Sequence, residues 1–259
     1  MNFNRVSVLA TNVFREVVRD RILYIVCFYT IVLGIAIRLL PDFAAATEDK
    51  MFLDFGLAAM SVLGLIVAIF VGTGLINKEI EKRTVLVLIA KPVSRSEFIT
   101  GKYLGLLMVL AVLIAAMTVI YFIFLQMGNI SYPMVSVLVS TIFLFFQLSL
   151  MAAIAVTLGV FTSSILATAL TFAVYLAGNI TQDLLQLGRL SQNPGIERIT
   201  QALYLVLPDL SRLDLKNDAV YGFGALPDPI TLLLNAGYGL LYSIMLLLIA
   251  IFSFSQREF

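Results

Sequence analysis

Apolar residues in this chain come in long runs, not in alternation. The runs occupy about residues 22–40, 57–76, 103–125, 134–160, 165–180 and 230–254. About 20 consecutive apolar residues let a helix cross the roughly 30 Å hydrocarbon core of a bilayer, so the pattern predicts an all-α, polytopic membrane protein, a six-span helical bundle. The fourth run is longer than a crossing requires and the fifth is shorter, which places their boundary at Phe161, Thr162, Ser163 and Ser164. Before the first run, Val6, Leu9, Val13, Phe14 and Val17 recur at roughly helical spacing among polar residues that include Arg5, Arg15, Arg19 and Arg21. Residues 1–21 are therefore expected to form an interfacial amphipathic helix on the membrane surface. The basic start and the small residues Ala44, Ala45 and Ala46 also fit a signal peptide, but the apolar run from Ile22 exceeds the usual roughly 7 to 15 residues. A retained first span is the expectation.

Between the last two runs, Ile196, Ile199, Leu203 and Val206 follow Pro194 and Gly195 at helical spacing, and Pro208 stops them. That predicts a short amphipathic helix within an external loop of about residues 179–229. No internal repeat or linker divides the chain, so residues 1–259 read as a single transmembrane domain.

Composition narrows the functional classes. The chain is 61% apolar and 13% charged, against about 45–50% and about 25% in soluble domains. Its 259 residues leave no room for a catalytic domain beside the spans, so an energy-supplying domain is expected on another chain. A net charge of +1 argues against nucleic acid as a partner. The single cysteine, Cys27, excludes an internal disulfide or thiolate cluster, and the absence of histidine removes the commonest metal ligand and general base. No metal or cofactor is expected. There is no tryptophan, which leaves Tyr24, Tyr103, Tyr132, Tyr238 and Tyr242 to mark span ends.

The distribution of basic residues sets the orientation. Of the 17 Lys and Arg residues, the N-terminal segment, the 77–102 loop and the tail hold eleven, and the opposite side holds Arg38, Lys50, Arg189, Arg198, Arg212 and Lys216. Cytoplasmic loops retain basic residues, so both termini are expected in the cytoplasm of a protein in the plasma (inner) membrane. Within the apolar runs the one ionisable residue is Arg38, at a span end where it can snorkel. Mid-span charge costs at least about 2.5–3.5 kcal/mol and is kept for function. Its absence argues against an ion-coupled transporter and against intramembrane hydrolysis.

The remaining polar residues in or beside the spans are Gln126, Gln147, Ser149, Thr157, Asn179, Asn235 and Ser243. They suit interhelical hydrogen bonds, which average about 0.6 kcal/mol; Gln147, Ser149, Asn179 and Asn235 are the candidates for a substrate path. Small residues four apart at Gly64, Ala68 and Gly72, at Ala155 and Gly159, and at Ala169, Ala173 and Ala177 permit close helix packing within one chain or across a dimer. The last stripe is the first place to look for a dimer contact.

Residues 77–102 are the one dense charged segment between two long runs. Glu79 with Lys82 and Arg83 suggests a solvated helical extension of the second span. Pro92 forces a turn. Ser94 with Glu97 three residues on is a capping box, and Val93 with Phe98 occupies the positions of a hydrophobic staple. An ordinary topogenic loop needs only the basic residues. A pre-formed helix start beside an apolar patch suits insertion into the groove of a soluble partner.

The run Glu79, Thr84, Leu88, Lys91, Pro92, Val93, Ser94, Arg95, Phe98, Lys102 and Gly105 resembles the cytoplasmic loop of type-2 ATP-binding-cassette (ABC) transporter permeases. Phe14, Arg15, Glu16, Arg19, Asp20 and Arg21 are similar to that family's interfacial N-terminal helix, and Leu207 to Gly222 to a segment before its last span. The resemblance implies a permease subunit that pairs with a second permease, in a homodimer or heterodimer, and rests on a separate ATP-binding cassette subunit, usually for export. It assigns the coupling contact to Glu79, Lys82, Arg83, Pro92, Val93, Ser94, Arg95, Glu97 and Phe98. The permease itself would not hydrolyse ATP, and no G-x-x-x-x-G-K-[ST] loop occurs. A membrane anchor that recruits a cytosolic partner without transporting anything would use the same loop. An intramembrane enzyme is disfavoured by the missing histidines and mid-span acids.

Overall fold

The computed structural model describes residues 2–43, 48–81, 94–191 and 193–256. Ten α-helices lie among them. The first, α1 (Phe3–Val17), starts at Asn2, whose side chain accepts from the Asn4 N–H at 3.2 Å. A π-helical turn, Val18–Ile22, joins it to α2 (Leu23–Phe43). Then come α3 (Glu48–Glu81), α4 (Arg95–Met127), α5 (Met134–Phe161) and α6 (Ser164–Asn179), followed by the shorter α7 (Thr181–Leu190), α8 (Pro194–Val206) and α9 (Lys216–Val220). The last helix is α10 (Pro229–Gln256), whose first turn is held by Asp228 accepting from the backbone and hydroxyl of Thr231. No strand occurs among the described residues.

Five helices, α2, α3, α4, α5 and α10, are long and apolar enough to cross a membrane. The fifth predicted span appears as the 16-residue α6, about 24 Å at 1.5 Å per residue, which bends by 56° into α7. Chain ends and contacts decide its role. The start of α4 meets Asn2 on one side and Phe254 on the other, so both terminal helices reach the same end of the bundle. Antiparallel packing of α4 on α5 returns the chain to that end by Phe161, while Pro229 lies at the far one. Helix α6 runs between the two ends: its Thr168 contacts Thr73 of α3, and its Gly178 abuts Pro208 at the far end.

Helix α5 is the centre. Some 72% of its spanning window is buried, against 17% for α2, and it packs on α3, α4, α6, α9 and α10. Two tyrosines inside the bundle complete the α2–α3–α4 contact: Tyr29 and Tyr121 donate to the carbonyls of Gly56 at 3.2 Å and Leu53 at 2.9 Å. The missing side chain of Gly56 makes room for the Tyr121 ring. Neither is among the interfacial tyrosines that the sequence marked.

The amphipathic α1 turns its stripe, Val6, Ala10, Val13 and Val17, against α4. Gly101 and Gly105 of α4 permit the approach: a β-carbon on Gly105 would lie 2.7 Å from Val13 Cβ and 2.8 Å from the Ala10 carbonyl oxygen. At 33 residues, α4 is about 50 Å long, well beyond the roughly 30 Å core. The excess is the part that α1 follows, from Asn2 beside Glu97 to Val13 beside Gly105.

Gly105→Leu should therefore detach α1 without affecting insertion. An overpacked contact costs about 1–3 kcal/mol, and the expected readout is faster backbone hydrogen exchange over residues 3–17 with the exchange of α5 unchanged.

Candidate functional site

The residues singled out around the charged loop fall into two groups. Helix α3 continues through Glu79 to Glu81. Lys82, Arg83, Pro92 and Val93 lie outside the described residues, and with Val93 so does the staple. From Ser94 onward the geometry is explicit. Ser94 is the N-cap of α4: its Oγ accepts from the Glu97 N–H at 3.2 Å, and Glu97 Oε2 accepts from the Ser94 N–H at 3.0 Å, which completes the capping box.

The second carboxylate oxygen of Glu97 does something a cap does not require. Oε1 accepts from the backbone N–H of Asn2 at 2.6 Å, and the Arg5 guanidinium lies 4.0 Å from Oε2. Glu97 is only 4% exposed, and a buried carboxylate is tolerated where such donors replace its water. The backbone hydrogen bonds from Asn2 and Ser94 hold the Glu97 carboxyl below its ordinary pKa. The Arg5 pair, long and half open to solvent, adds little.

On the opposite side of the same helical turn, Arg95 Nη1 donates to the carbonyls of Phe254 at 3.0 Å and Ser255 at 2.7 Å. Carbonyls of a last helical turn lack helical partners, and Arg95 supplies one to α10. Phe98 stacks on Phe254 with centroids 5.8 Å apart, and Lys102 Nζ lies 5.6 Å from the Phe98 ring centroid. At 3% exposure, Phe98 belongs to the interior of this chain. The sequence pattern identified an apolar staple residue, but period alone does not reveal that a ring 156 positions downstream covers it. Ser94, Arg95, Glu97 and Phe98 thus form a junction of α1, α4 and α10.

The four substrate-path candidates are not brought together. Ser149 donates to the Phe145 carbonyl and Asn179 to the Tyr175 carbonyl, each 2.7 Å away on its own helix. Asn235 sits half-buried near the start of α10. Gln147 is buried on α5, and its Nε2 has no hydrogen-bond partner among the described residues.

At the far end of the bundle the structure reveals ionic groups that the span-by-span reading set aside. Asp209, beneath the α7–α8 hairpin, accepts from Arg212 Nε at 3.0 Å, Gln182 Nε2 at 3.0 Å and Ser211 Oγ at 2.6 Å, and its backbone N–H donates to the Tyr238 hydroxyl at 2.9 Å. Arg212 also donates to the Tyr204 hydroxyl at 2.8 Å and lies over the Tyr238 ring. Lys216 pairs with Asp214 at 3.0 Å and donates to Ser61 Oγ of α3 at 3.2 Å. Ser61 lies 13 residues into α3, about 20 Å along its axis, so the 207–222 segment dips into the bundle, with Leu210, Leu213 and Ala219 fully buried. The sequence signal was present in the apolar spacing of Leu210, Leu213, Leu215 and Val220, but a loop assignment concealed it.

Burial pushes the Asp209 carboxyl up, but the bonds from Ser211, Gln182 and Arg212 outweigh it and hold its pKa below the ordinary carboxylate value. A depressed folded-state pKa means that the stabilisation is complete above the unfolded value near about 3.9 and is lost as pH falls through the folded one. Hydrogen exchange over residues 181–222, corrected for intrinsic rates, should stay slow from pH 7 to about pH 4 and accelerate below it. Asp209→Asn should raise exchange at pH 7, at a cost of about 1–3 kcal/mol, and flatten the acid dependence; an unchanged profile would contradict the assignment.

In comparison with known families, residues 8–259 match the family described as ABC-2 family transporter protein. Among curated proteins, none matches the chain.

Proposed function

This chain belongs to the ABC-2 family of transporter proteins, and we propose that it is the membrane-spanning permease subunit of an ATP-driven exporter that draws its energy from a separate ATP-binding cassette subunit. The observation that carries the reading is the family match, which runs through every helix from α1 to α10. The family's chains are the transmembrane component, and the ATPase is a different subunit.

The geometry supports a location for the partner. Residues 82–93 follow α3 and precede α4 in the chain, and α4 starts at the end of the bundle where both terminal helices converge. The basic-residue count favours a cytoplasmic location for that end. We assign the docking surface to Glu79, Lys82, Arg83, Pro92 and Val93, with Ser94, Arg95, Glu97 and Phe98 transmitting from it. A second permease subunit, identical or not, is proposed against the outer face of α6, where Ala169 and Ala173 are exposed. Gln147, with its unpaired buried donor, is the proposed contact for a passing substrate. A membrane anchor would share the loop, but the family membership favours transport.

Val93→Asp should leave membrane insertion intact and remove the ATP-binding subunit from the complex purified through a tag on this chain; undiminished recovery of that subunit would sink the docking assignment. In a Cys27→Ala background, a membrane-impermeant maleimide applied from outside should label Asn217→Cys and spare Ser96→Cys. The reverse pattern would invert the topology.

A further inference from the structure

One helical turn, Ser94 to Phe98, holds both ends of the chain, and its bonds are unusual in kind. We propose that Glu97 is a positioning residue for coupling: its carboxylate fastens α1 to the first turn of α4, so that displacement of the 82–93 segment moves the first and last spans together with α4. The proposal rests on the reading of this end as the one that meets the ATP-binding subunit.

The capping box accounts for Glu97 Oε2, which accepts from Ser94 within the same turn. It does not account for Oε1, which accepts from Asn2, 95 positions away, at 2.6 Å. Both donors are backbone N–H groups, and a backbone donor has no rotamer to relax into. The carboxylate therefore fixes the main chain at residue 2 relative to the main chain at residue 94, whereas a surface pair of long side chains would swing. Its own backbone is held in turn by Ser94 Oγ.

The same turn grips α10 through acceptors that are also backbone, the Phe254 and Ser255 carbonyls bonded to Arg95, and through the Phe98–Phe254 stack. Residues 82–93 immediately precede this turn in the sequence, and Ser94 is the first residue of the junction. From Asn2 the helical backbone runs through α1 and the π-helical turn into α2 without an intervening loop. A push on the segment therefore has continuous, packed routes into α2, α4 and α10, the kind of connection that coupling between distant sites requires.

Two substitutions at one position isolate the bond. Asn2→Ala removes the side-chain cap of α1 and keeps the N–H that Glu97 binds. Asn2→Pro removes both at the N-cap, whose N–H makes no intrahelical bond, and both variants carry an N-terminal extension so that residue 2 keeps a peptide nitrogen. In lipid nanodiscs holding this chain alone, hydrogen exchange over residues 3–10 should be faster in Asn2→Pro than in Asn2→Ala by about tenfold, the effect of one charge-assisted bond; equal rates overturn the fastening.

The coupling role is read in the complex with the ATP-binding subunit, in a Cys27→Ala background, through Asn4→Cys, exposed on α1 outside the spans. Its maleimide labelling rate should differ between the nucleotide-free and vanadate-trapped complex with Asn2 intact and in Asn2→Ala. In Asn2→Pro that difference should vanish with the ATP-binding subunit still bound. A full response in Asn2→Pro, or no response with Asn2 intact, overturns the coupling role. Failure to recover any ATP-binding subunit would instead defeat the proposed function, while the exchange result on the chain alone would still decide whether Glu97 fastens α1.

Discussion

Close approach of backbones around α5 is the constraint on which this bundle depends. Lipid is as apolar as leucine, so burying apolar side chains between helices gains little, and association must come from contact and hydrogen bonding. Small residues make the contact possible. Gly72 of α3 faces Ala155, where a β-carbon would approach to 2.8 Å, and Gly159 faces the backbone of Thr73. Hydroxyls add modest bonds across the same seams: Thr73 to Thr168, Thr157 to the Leu246 carbonyl and Tyr103 to the Ser149 carbonyl, at 3.0, 3.2 and 3.3 Å. Because α5 touches four of the other crossing helices, its position sets theirs.

The strong polar interactions gather at the two ends, apart from Lys216, which reaches Ser61 about 20 Å along α3. At one, Glu97 and Arg95 bind backbone donors and acceptors of α1 and α10; at the other, Asp209, Arg212 and Lys216 bind the outer segment onto α3, α7 and α10. Ionic groups contribute most where burial removes competing water and every partner is present. The arrangement gives a bundle with stiff ends and a middle joined by weak, uncharged contacts. Such a middle can repack at little cost when the ends move, as the coupling proposed above requires.

Much of this was legible in the residues. The length of each apolar run identified the crossings, and the basic residues distinguished the ends. Ser94 and Glu97 declared the start of α4, and Pro194 and Pro208 the limits of α8, because capping and proline geometry are local. The candidate site was legible only in part. Phe98 read as a partner-facing staple because its apolar character is local information and its burial against Phe254 is not. Ser149 and Asn179 read as substrate contacts, yet bond their own helices. Lys216 lay in a segment read as an external loop, and nothing near it in sequence marks Ser61, 155 positions earlier, as its partner.

The sequence by itself determined which segments could live in lipid, where the helices begin, and which end carries the positive charge. These follow from transfer free energy, backbone sterics and charge, each a property of a few neighbouring residues. Tertiary structure alone decided that α6 bends by 56° into α7, that α1 turns its apolar stripe to α4, and that one carboxylate joins Asn2 to Ser94. Each of these depends on a contact between residues tens to hundreds of positions apart, and such contacts exist only once the helices have chosen their neighbours.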